Sequence, residues 1–217
     1  NKAAVANATV VVLAVKPQIM RKVAMDLAPA LNDQAVVVSI AAGISAESLQ
    51  GWLGSSVAII RAMPNTPSLV LAGATALFAN QFTTEPQKAM VTSIFQAVGY
   101  CCWVDIEDQI NAVVAVSGSG PAYFFRILEI MQQVGQELGL SEDIARELAS
   151  HTALGASQMA LQSDSSPSQL RRQVTSPGGT TERALSTFQK EGLETIFRNA
   201  MTSALKRAEE MSKDFAE

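Results

Sequence analysis

The stretch with the densest chemical content is QVTSPGGTTERA, Gln173 to Ala184. It contains a proline, two adjacent glycines and four Ser or Thr residues, and it leads into a helical pattern. A helix N-terminus carries unpaired N–H groups and a partial positive charge. Gly178 and Gly179 just before it let the backbone fold into a concave nest of donors, a seat for a carboxylate or phosphate. Thr180 and Thr181 add hydroxyls that donate or accept. The stretch therefore reads as an anion pocket with a hydroxyl beside it. An ordinary capped loop, with Thr as N-cap and Glu182 in the first turn, fits the same residues.

A second group of small and polar residues lies further upstream. Ala14-Val15-Lys16-Pro17, Ala41-Ala42-Gly43 and Pro64-Asn65-Thr66-Pro67 each follow an apolar, β-branched run. Residues 8–15, 35–40, 57–62, 74–79 and 100–104 read as strands, the first of them as a strand buried on both faces. Helices are expected over 19–31, with Ile19, Val23, Leu27 and Leu31 on one face, over 46–52 behind a Ser45 cap, and over 85–98. Strands alternating with helices across short loops make an α/β sheet that is at least partly parallel. Ligands of such sheets collect beyond the carboxyl ends of the strands, where these small residues sit. Each loop taken singly is also ordinary punctuation of an α/β chain.

After residue 106 the pattern becomes helical, with no strand expected. One helix stops at Ser117-Gly118-Ser119-Gly120, and Pro121 opens the next, to Leu138. Ser141 caps another, to Gln162. A short helix runs from Ser166-Pro167 to Val174, one from Thr181 to near Gly192, and a last one from Leu193 to the C-terminus. The last carries Leu193, Ile196, Phe197, Ala200, Met201, Ala204 and Ala208 on one stripe. Gly118, Gly120, Gly135, Gly155, Ala156 and Ser157 permit close helix packing, as an intertwined dimer requires and as a plain bundle also does.

Composition removes several classes. The chain has 217 residues, 48% of them apolar, and a net charge of −4. It is too apolar for disorder and gives no basic footprint for nucleic acid. No apolar run approaches the roughly 18 residues that would cross a bilayer, and no secretory signal pattern opens the chain. Cys101 and Cys102 are adjacent in a strand and point to opposite faces, so they read as small buried residues in a cytoplasmic protein. No His/Cys cluster marks a metal site. His151, the only histidine, lies mid-helix with no paired carboxylate read for it, and takes a structural role. Arg171 and Arg172 precede the anion loop and read as a solvated helix face. Trp52 and Trp103 read as packing residues.

In order and spacing, LAVKP (13–17), VSIAAG (38–43), RAMPNTP (61–67), VSGSGPAYFF (116–125) and TSPGGTT (175–181) resemble the Δ1-pyrroline-5-carboxylate reductases, NAD(P)H-dependent enzymes of the last step of proline synthesis. The resemblance covers nearly the whole chain. SGSGPAY followed by SPGGTT is highly specific, whereas AVKP or NTP alone is not. It implies a Rossmann-like dinucleotide-binding domain over 1–106 and an all-helical dimerisation and substrate domain over 107–217. The family's first strand and Gly-rich pyrophosphate loop have no counterpart here, so the chain, which opens on Asn1-Lys2, reads as entered within a domain. NADPH-versus-NADH preference lies in that same upstream part.

The resemblance also implies roles. Asn1 contacts the adenosine end of the cofactor. Ala14, Val15, Lys16, Pro17, Ala41, Ala42 and Gly43 line the dinucleotide, and Asn65 lies near the nicotinamide. Gln173 occupies a cofactor-contact position that another polar residue usually fills. Ser176 and the amides of Gly179, Thr180 and Thr181 bind the substrate carboxylate, and the Thr181 hydroxyl bonds the ring nitrogen. Glu107 matches a substrate-pocket position, and also suits the first turn of its own helix. The expected reaction is hydride transfer to the cyclic imine, giving L-proline, with the proton guided by Thr181 directly or through water. The partners implied are the small-molecule substrate and a second copy of the chain, with decamers in many members. β-Hydroxyacid dehydrogenases and ketopantoate reductases share the two-domain plan but need a helical-domain lysine, and none occurs in the helical part before Lys190. A helical scaffold without catalysis is the remaining rival, and the intact SPGGTT loop opposes it.

Overall fold

The computed structural model describes residues 1–215. Its chain divides into two compact units, one of Asn1–Pro121 with the segment from Met201 onward, the other of Ala122–Ala200.

The first unit is built on a five-stranded sheet in the order β1-β2-β3-β4-β5, comprising β1 (Val10–Leu13), β2 (Val36–Ser39), β3 (Ala58–Met63), β4 (Gly73–Ala79) and β5 (Gly99–Trp103). The strands β1, β2 and β3 are parallel, β4 runs antiparallel to β3, and β5 is parallel to β4. The helices are α1 (Lys2–Val5), α2 (Pro17–Leu27), α3 (Ala46–Leu53), α4 (Glu85–Gln96) and α5 (Gln109–Val113). One face of the sheet, with Val11, Leu13, Val37 and Ile59, packs on Met20, Ala24 and Leu27 of α2 and Leu49 and Leu53 of α3. The other, with Val36, Val38, Ile60 and Leu77, packs on Val91 and Phe95 of α4. All four residues of β2 are buried, as a strand covered on both faces requires. The same expectation fails for β1, where Val12 is 49% exposed, because β1 is the edge of the described sheet and α4 covers only its middle.

Three details of α2 differ from the sequence reading. The helix begins at Pro17, whose fixed φ suits the first helical position. It gives way at Leu27 to a 3₁₀ turn over Ala28–Ala30, because Pro29 cannot donate and restricts the residue before it. Its buried stripe is Met20, Ala24 and Leu27, while Ile19 is 49% exposed. Both stripes have helical spacing, and contact with the sheet selects between them. Ser45 caps α3 as expected, its hydroxyl accepting the Ser48 amide. At α4, Thr84 and Gln87 form a reciprocal capping box.

The helix expected to stop at Ser117-Gly118-Ser119-Gly120 does end there, at Gly118, with Ser119 between it and the next helix. α5 passes into a single π turn over Val114–Gly118, closed by Ser119 N–H donating to the Val114 carbonyl at 2.8 Å. Then α6 begins at Gly120 and runs to Glu137. The remaining helices are α7 (Glu142–Gln162), α8 (Pro167–Gln173), α9 (Thr180–Lys190) and α10 (Leu193–Asp214). The expected continuation of α10 to the C-terminus falls on Ala216 and Glu217, outside the described residues. No strand follows β5 among the described residues.

Within the second unit only Ala145 and Ala149 are buried. A Cβ on Gly135 would stand 3.1 Å from that of Ala145, so this glycine sets the approach of α6 to α7. Phe124, Phe125, Ile144, Leu148 and Leu154 are more than half exposed. No described helix is long and apolar enough to cross a membrane.

The start of β5 lies directly on the start of β4. Gly99 has φ +146°, and a Cβ there would collide with the Gly73 backbone. Gly99→Ala is expected to cost at least about 3 kcal/mol, read as a lower midpoint in urea unfolding.

Candidate active site

The parallel strands end side by side, with Leu13 level with Ser39 and Ser39 level with Arg61. This register brings Ala14–Pro17, Ala41–Gly43 and the Met63–Asn65 segment to one edge of the sheet. Ala14 and Lys16 are exposed there, and Lys16 forms no ion pair among the described residues. Val15 packs into the core, and Ala41 is buried with its amide donating to the Ser39 hydroxyl. Gly43 has φ +77° and is buried, its Cα facing Met211 of α10 and Phe215. Asn1 is exposed at the start of α1, where its carbonyl accepts the Ala4 and Val5 amides.

Both polar atoms of the Asn65 side chain are engaged. Nδ2 donates to the Ser117 carbonyl at 3.0 Å, and Oδ1 accepts the Ala74 amide at 2.8 Å. Asn65 thus ties the end of β3 to the start of β4 and to the π turn. That turn is crowded: a Cβ on Gly118 would come within 2.8 Å of the Met63 methyl.

Glu107 does not sit in the first turn of its own helix. Its Oε1 accepts the Ala46 amide at 2.7 Å, at the N-terminus of α3, and Nη1 of Arg61 at 2.9 Å. A carboxylate there meets the unpaired amides and positive end of α3. The side chains are 6% exposed for Arg61 and 26% for Glu107, so the guanidinium is the buried partner. The sequence reading missed Arg61. Its signal was a charge at the fourth position of the otherwise apolar run AIIRAM, a place that demands a partner.

In the second unit, Ser176-Pro177-Gly178-Gly179 forms a tight turn closed by Gly179 N–H donating to the Ser176 carbonyl at 3.0 Å. Gly178, with φ +72°, occupies the left-handed position such a turn gives to glycine. Its N–H donates to Oε2 of Glu182 at 2.7 Å. The N-cap of α9 is Gly179, with no side-chain cap, where the capped-loop alternative required Thr; Glu182 does lie in the first turn. Two of the loop's donors are thereby spent inside the protein. The amides of Thr180 and Thr181 make no hydrogen bond among the described residues, nor does the Thr181 hydroxyl. Ser176, Thr180 and Gln173 are exposed, and Thr181 is half-buried.

Other candidates fall away from the chemistry. His151 does have a paired carboxylate, Glu147 one turn earlier at 3.6 Å, and lies on an open helix face. Cys101 and Cys102 are half-buried rather than buried, and are free thiols. Burial pushes the Cys101 thiol up, with Cys102 adding, so it is a poor nucleophile. Trp103 packs as expected, its indole N–H donating to Thr92 at 3.0 Å.

The buried pair makes a distinctive prediction for stability. Arg61→Met alone strands the Glu107 carboxylate and is expected to cost about 2–3 kcal/mol, with part of that recovered in the double variant R61M/E107Q. Chemical unfolding of the three proteins checks the order.

Comparison with known proteins agrees with this architecture. Residues 107–211 match the family described as pyrroline-5-carboxylate reductase dimerisation, and residues 1–43 match NADP oxidoreductase coenzyme F420-dependent. A pyrroline-5-carboxylate reductase of Pseudomonas aeruginosa is 48% identical over all of this chain and 80% of its own length. One from Vibrio alginolyticus is 44% identical over 99% of this chain and 79% of its own. The solved pyrroline-5-carboxylate reductase of Coxiella burnetii superposes with a TM-score of 0.93 at 46% identity, covering 97% of this chain and 78% of that one. The Plasmodium falciparum pyrroline carboxylate reductase, solved with NADP bound, gives a TM-score of 0.90 at 29% identity, covering 97% and 80%. With a Rossmann-like sheet, the SGSGPAY turn and the SPGGTT loop all in place, the chain belongs to the pyrroline-5-carboxylate reductase family.

Proposed function

We propose that this protein reduces the cyclic imine 1-pyrroline-5-carboxylate to L-proline with NADPH or NADH, the last step of proline biosynthesis. It is an oxidoreductase acting on a CH–NH group. The observation that carries the reading is the pair of free amides on Thr180 and Thr181 at the N-terminus of α9, next to the free Thr181 hydroxyl. A carboxylate and a ring nitrogen on adjacent atoms of one small ring match that set of donors.

The strand-end edge fits a dinucleotide. Ala14 and Ala42 leave the backbone open at adjacent strand ends, and the unpaired Lys16 ammonium suits a polyanion. Ala14 to Pro17 and Ala41 to Gly43 would hold it, with Asn65 fixing the wall of the site through Ser117 and Ala74. Direct contacts from Asn1 and Gln173 belong to the same proposal. When bound, the reduced nicotinamide supplies hydride for the imine carbon. The chain's own groups do the rest. The Thr180 and Thr181 amides seat the carboxylate, with Ser176 beside them. Gly179, spent on the Ser176 carbonyl, shapes the turn that aims them. The Thr181 hydroxyl bonds the ring nitrogen and orders its proton. Such positioning is the protein's share of the rate.

We assign residues 1–106 to the dinucleotide domain and 107–217 to the helical domain. A unit with two buried residues and large apolar side chains on its surface needs a partner, and a homodimer through α6 and α7 supplies one. Gly155, which has open space around it, leaves room for close helix approach. Decamers extend this proposal, as does a cytoplasmic location.

The test is NADPH and NADH oxidation, followed by absorbance, with pyrroline-5-carboxylate and the full-length protein. Thr181→Ala is expected to lower kcat/KM by about 10²-fold with the fold intact. Activity that survives the change intact removes Thr181 from the chemistry. No turnover of wild type with either cofactor overturns the reductase reading.

A further inference from the structure

Gly43 is where the strand-end edge meets the end of α10. It is buried, with φ +77°, in the turn that follows β2. A Cβ there would stand 3.0 Å from Cβ of Met211, 3.1 Å from Cδ2 of Phe215 and 3.2 Å from the Met211 carbonyl carbon. The turn and the helix therefore meet almost backbone to backbone. Ala208, Met211 and Phe215 recur at helical spacing on that end of the chain, and Ala208 is buried. Phe215 also packs on the core of β1, β2, α2 and α3, and its amide donates to the Met211 carbonyl at 3.1 Å. All of these residues belong to the first unit. The turn has few hydrogen bonds of its own to hold it. The Ala41 amide donates to the Ser39 hydroxyl at 3.3 Å, and the amides of Ala42 and Gly43 donate to no group among the described residues. Ala42 is half-buried, and Ala14, at the end of the neighbouring strand, is exposed.

From this contact we propose that Met211 is a positioning residue for the dinucleotide: packed on Gly43, it holds the Ala41–Gly43 turn in the one form that leaves the Ala42 and Gly43 amides unspent at the ligand edge. The proposal rests on the reading of that edge as the dinucleotide site. Glycine visits positive and negative φ about equally in a free chain, so Gly43 does not choose its own conformation. A side chain at position 43 would restrict the turn from within, but the contact with α10 leaves no room for one and the positive φ disfavours it. The restriction therefore comes from across the contact. Methionine suits this place, because its unbranched, adaptable side chain fills the space around a close backbone approach. A turn that is already ordered binds its ligand without losing that entropy on association, and a loosened one loses it at every binding event. A methionine that only filled the core would change stability and leave cofactor affinity alone.

The test compares wild type, M211A, M211L, M211V and L53A as full-length proteins. Leu53 is a control in the same core, lining a cavity with Ala35 at the start of β2 rather than its end. NADPH affinity is measured by fluorescence titration, folding by thermal unfolding, and turnover by NADPH oxidation with pyrroline-5-carboxylate. Met211→Ala is expected to raise the Kd for NADPH by about 5- to 30-fold, with kcat at saturating NADPH within about threefold of wild type. M211L, close in volume, should restore the Kd to within about threefold, and L53A should lower Tm with the Kd within about twofold. If folded M211A keeps the wild-type Kd, if M211L binds as weakly as M211A, or if L53A weakens NADPH binding as much, Met211 only fills the core and the proposal falls. Should M211A fail to fold, M211V decides: a Kd raised by more than about threefold supports the proposal, and a smaller change overturns it. Wild type that folds but binds neither NADPH nor NADH overturns the dinucleotide reading of the edge instead.

Discussion

The first unit depends on one buried charge. Arg61 sits in the middle of β3, in a strand whose other residues are apolar, and a lone guanidinium there would cost more than the unit's stability allows. The Glu107 carboxylate meets it at 2.9 Å. To do so the chain must return from β5 across the sheet face before α5 starts. The same carboxylate then closes the N-terminus of α3 through the Ala46 amide. One interaction thus fixes the sheet, a helix start and the entry into the helical part of the chain.

Asn65 extends that constraint with neutral groups. Its carboxamide reads a carbonyl on the π turn and an amide at the start of β4, so the end of β3 cannot shift without breaking both bonds. The π turn accommodates this through Gly118, which leaves room for Met63. Between them, Arg61 and Asn65 define the wall at the carboxyl end of the parallel strands, where an α/β sheet holds its ligands. The SPGGTT loop uses a different economy. Its turn absorbs the Gly178 and Gly179 amides internally, and this aims the two that remain, on Thr180 and Thr181, outward from the first turn of α9. Rigid loops with a few unspent donors bind small anions well because little is left to order.

Much of this was legible in the sequence. The alternation of β-branched runs with helical stripes marks the α/β unit, and its small residues fall at adjacent strand ends as the periodicity implies. Ser45 and Ser141 announce helix starts through capping chemistry, and both accept the expected amide. The paired glycines and threonines mark the tight turn and the donor-rich start of α9. Other features were not legible, for local reasons. Two stripes on α2 have the same spacing, so Ile19 and Met20 compete until the sheet chooses. Ser117-Gly118-Ser119-Gly120 ends a helix as its composition implies, but nothing local announces that the run closes in a π turn over Val114–Gly118, against Asn65 and Met63. The role of Glu107 lies in a bond to Ala46, 61 residues away, and no local pattern encodes it.

The sequence by itself therefore determined what propagates through local rules: strand and helix identity, caps, the turn at Pro177-Gly178 and the donor-rich start of α9. Each depends on backbone sterics or on hydrogen bonds within a few residues. The tertiary structure decided what depends on partners distant in the chain. It chose Glu107 for Arg61, spent the Asn65 carboxamide on two backbone groups, and covered Gly43 with Met211. A buried charge or amide must be satisfied, but chemistry alone allows many partners, and only the packed sheet brings one of them within hydrogen-bond distance.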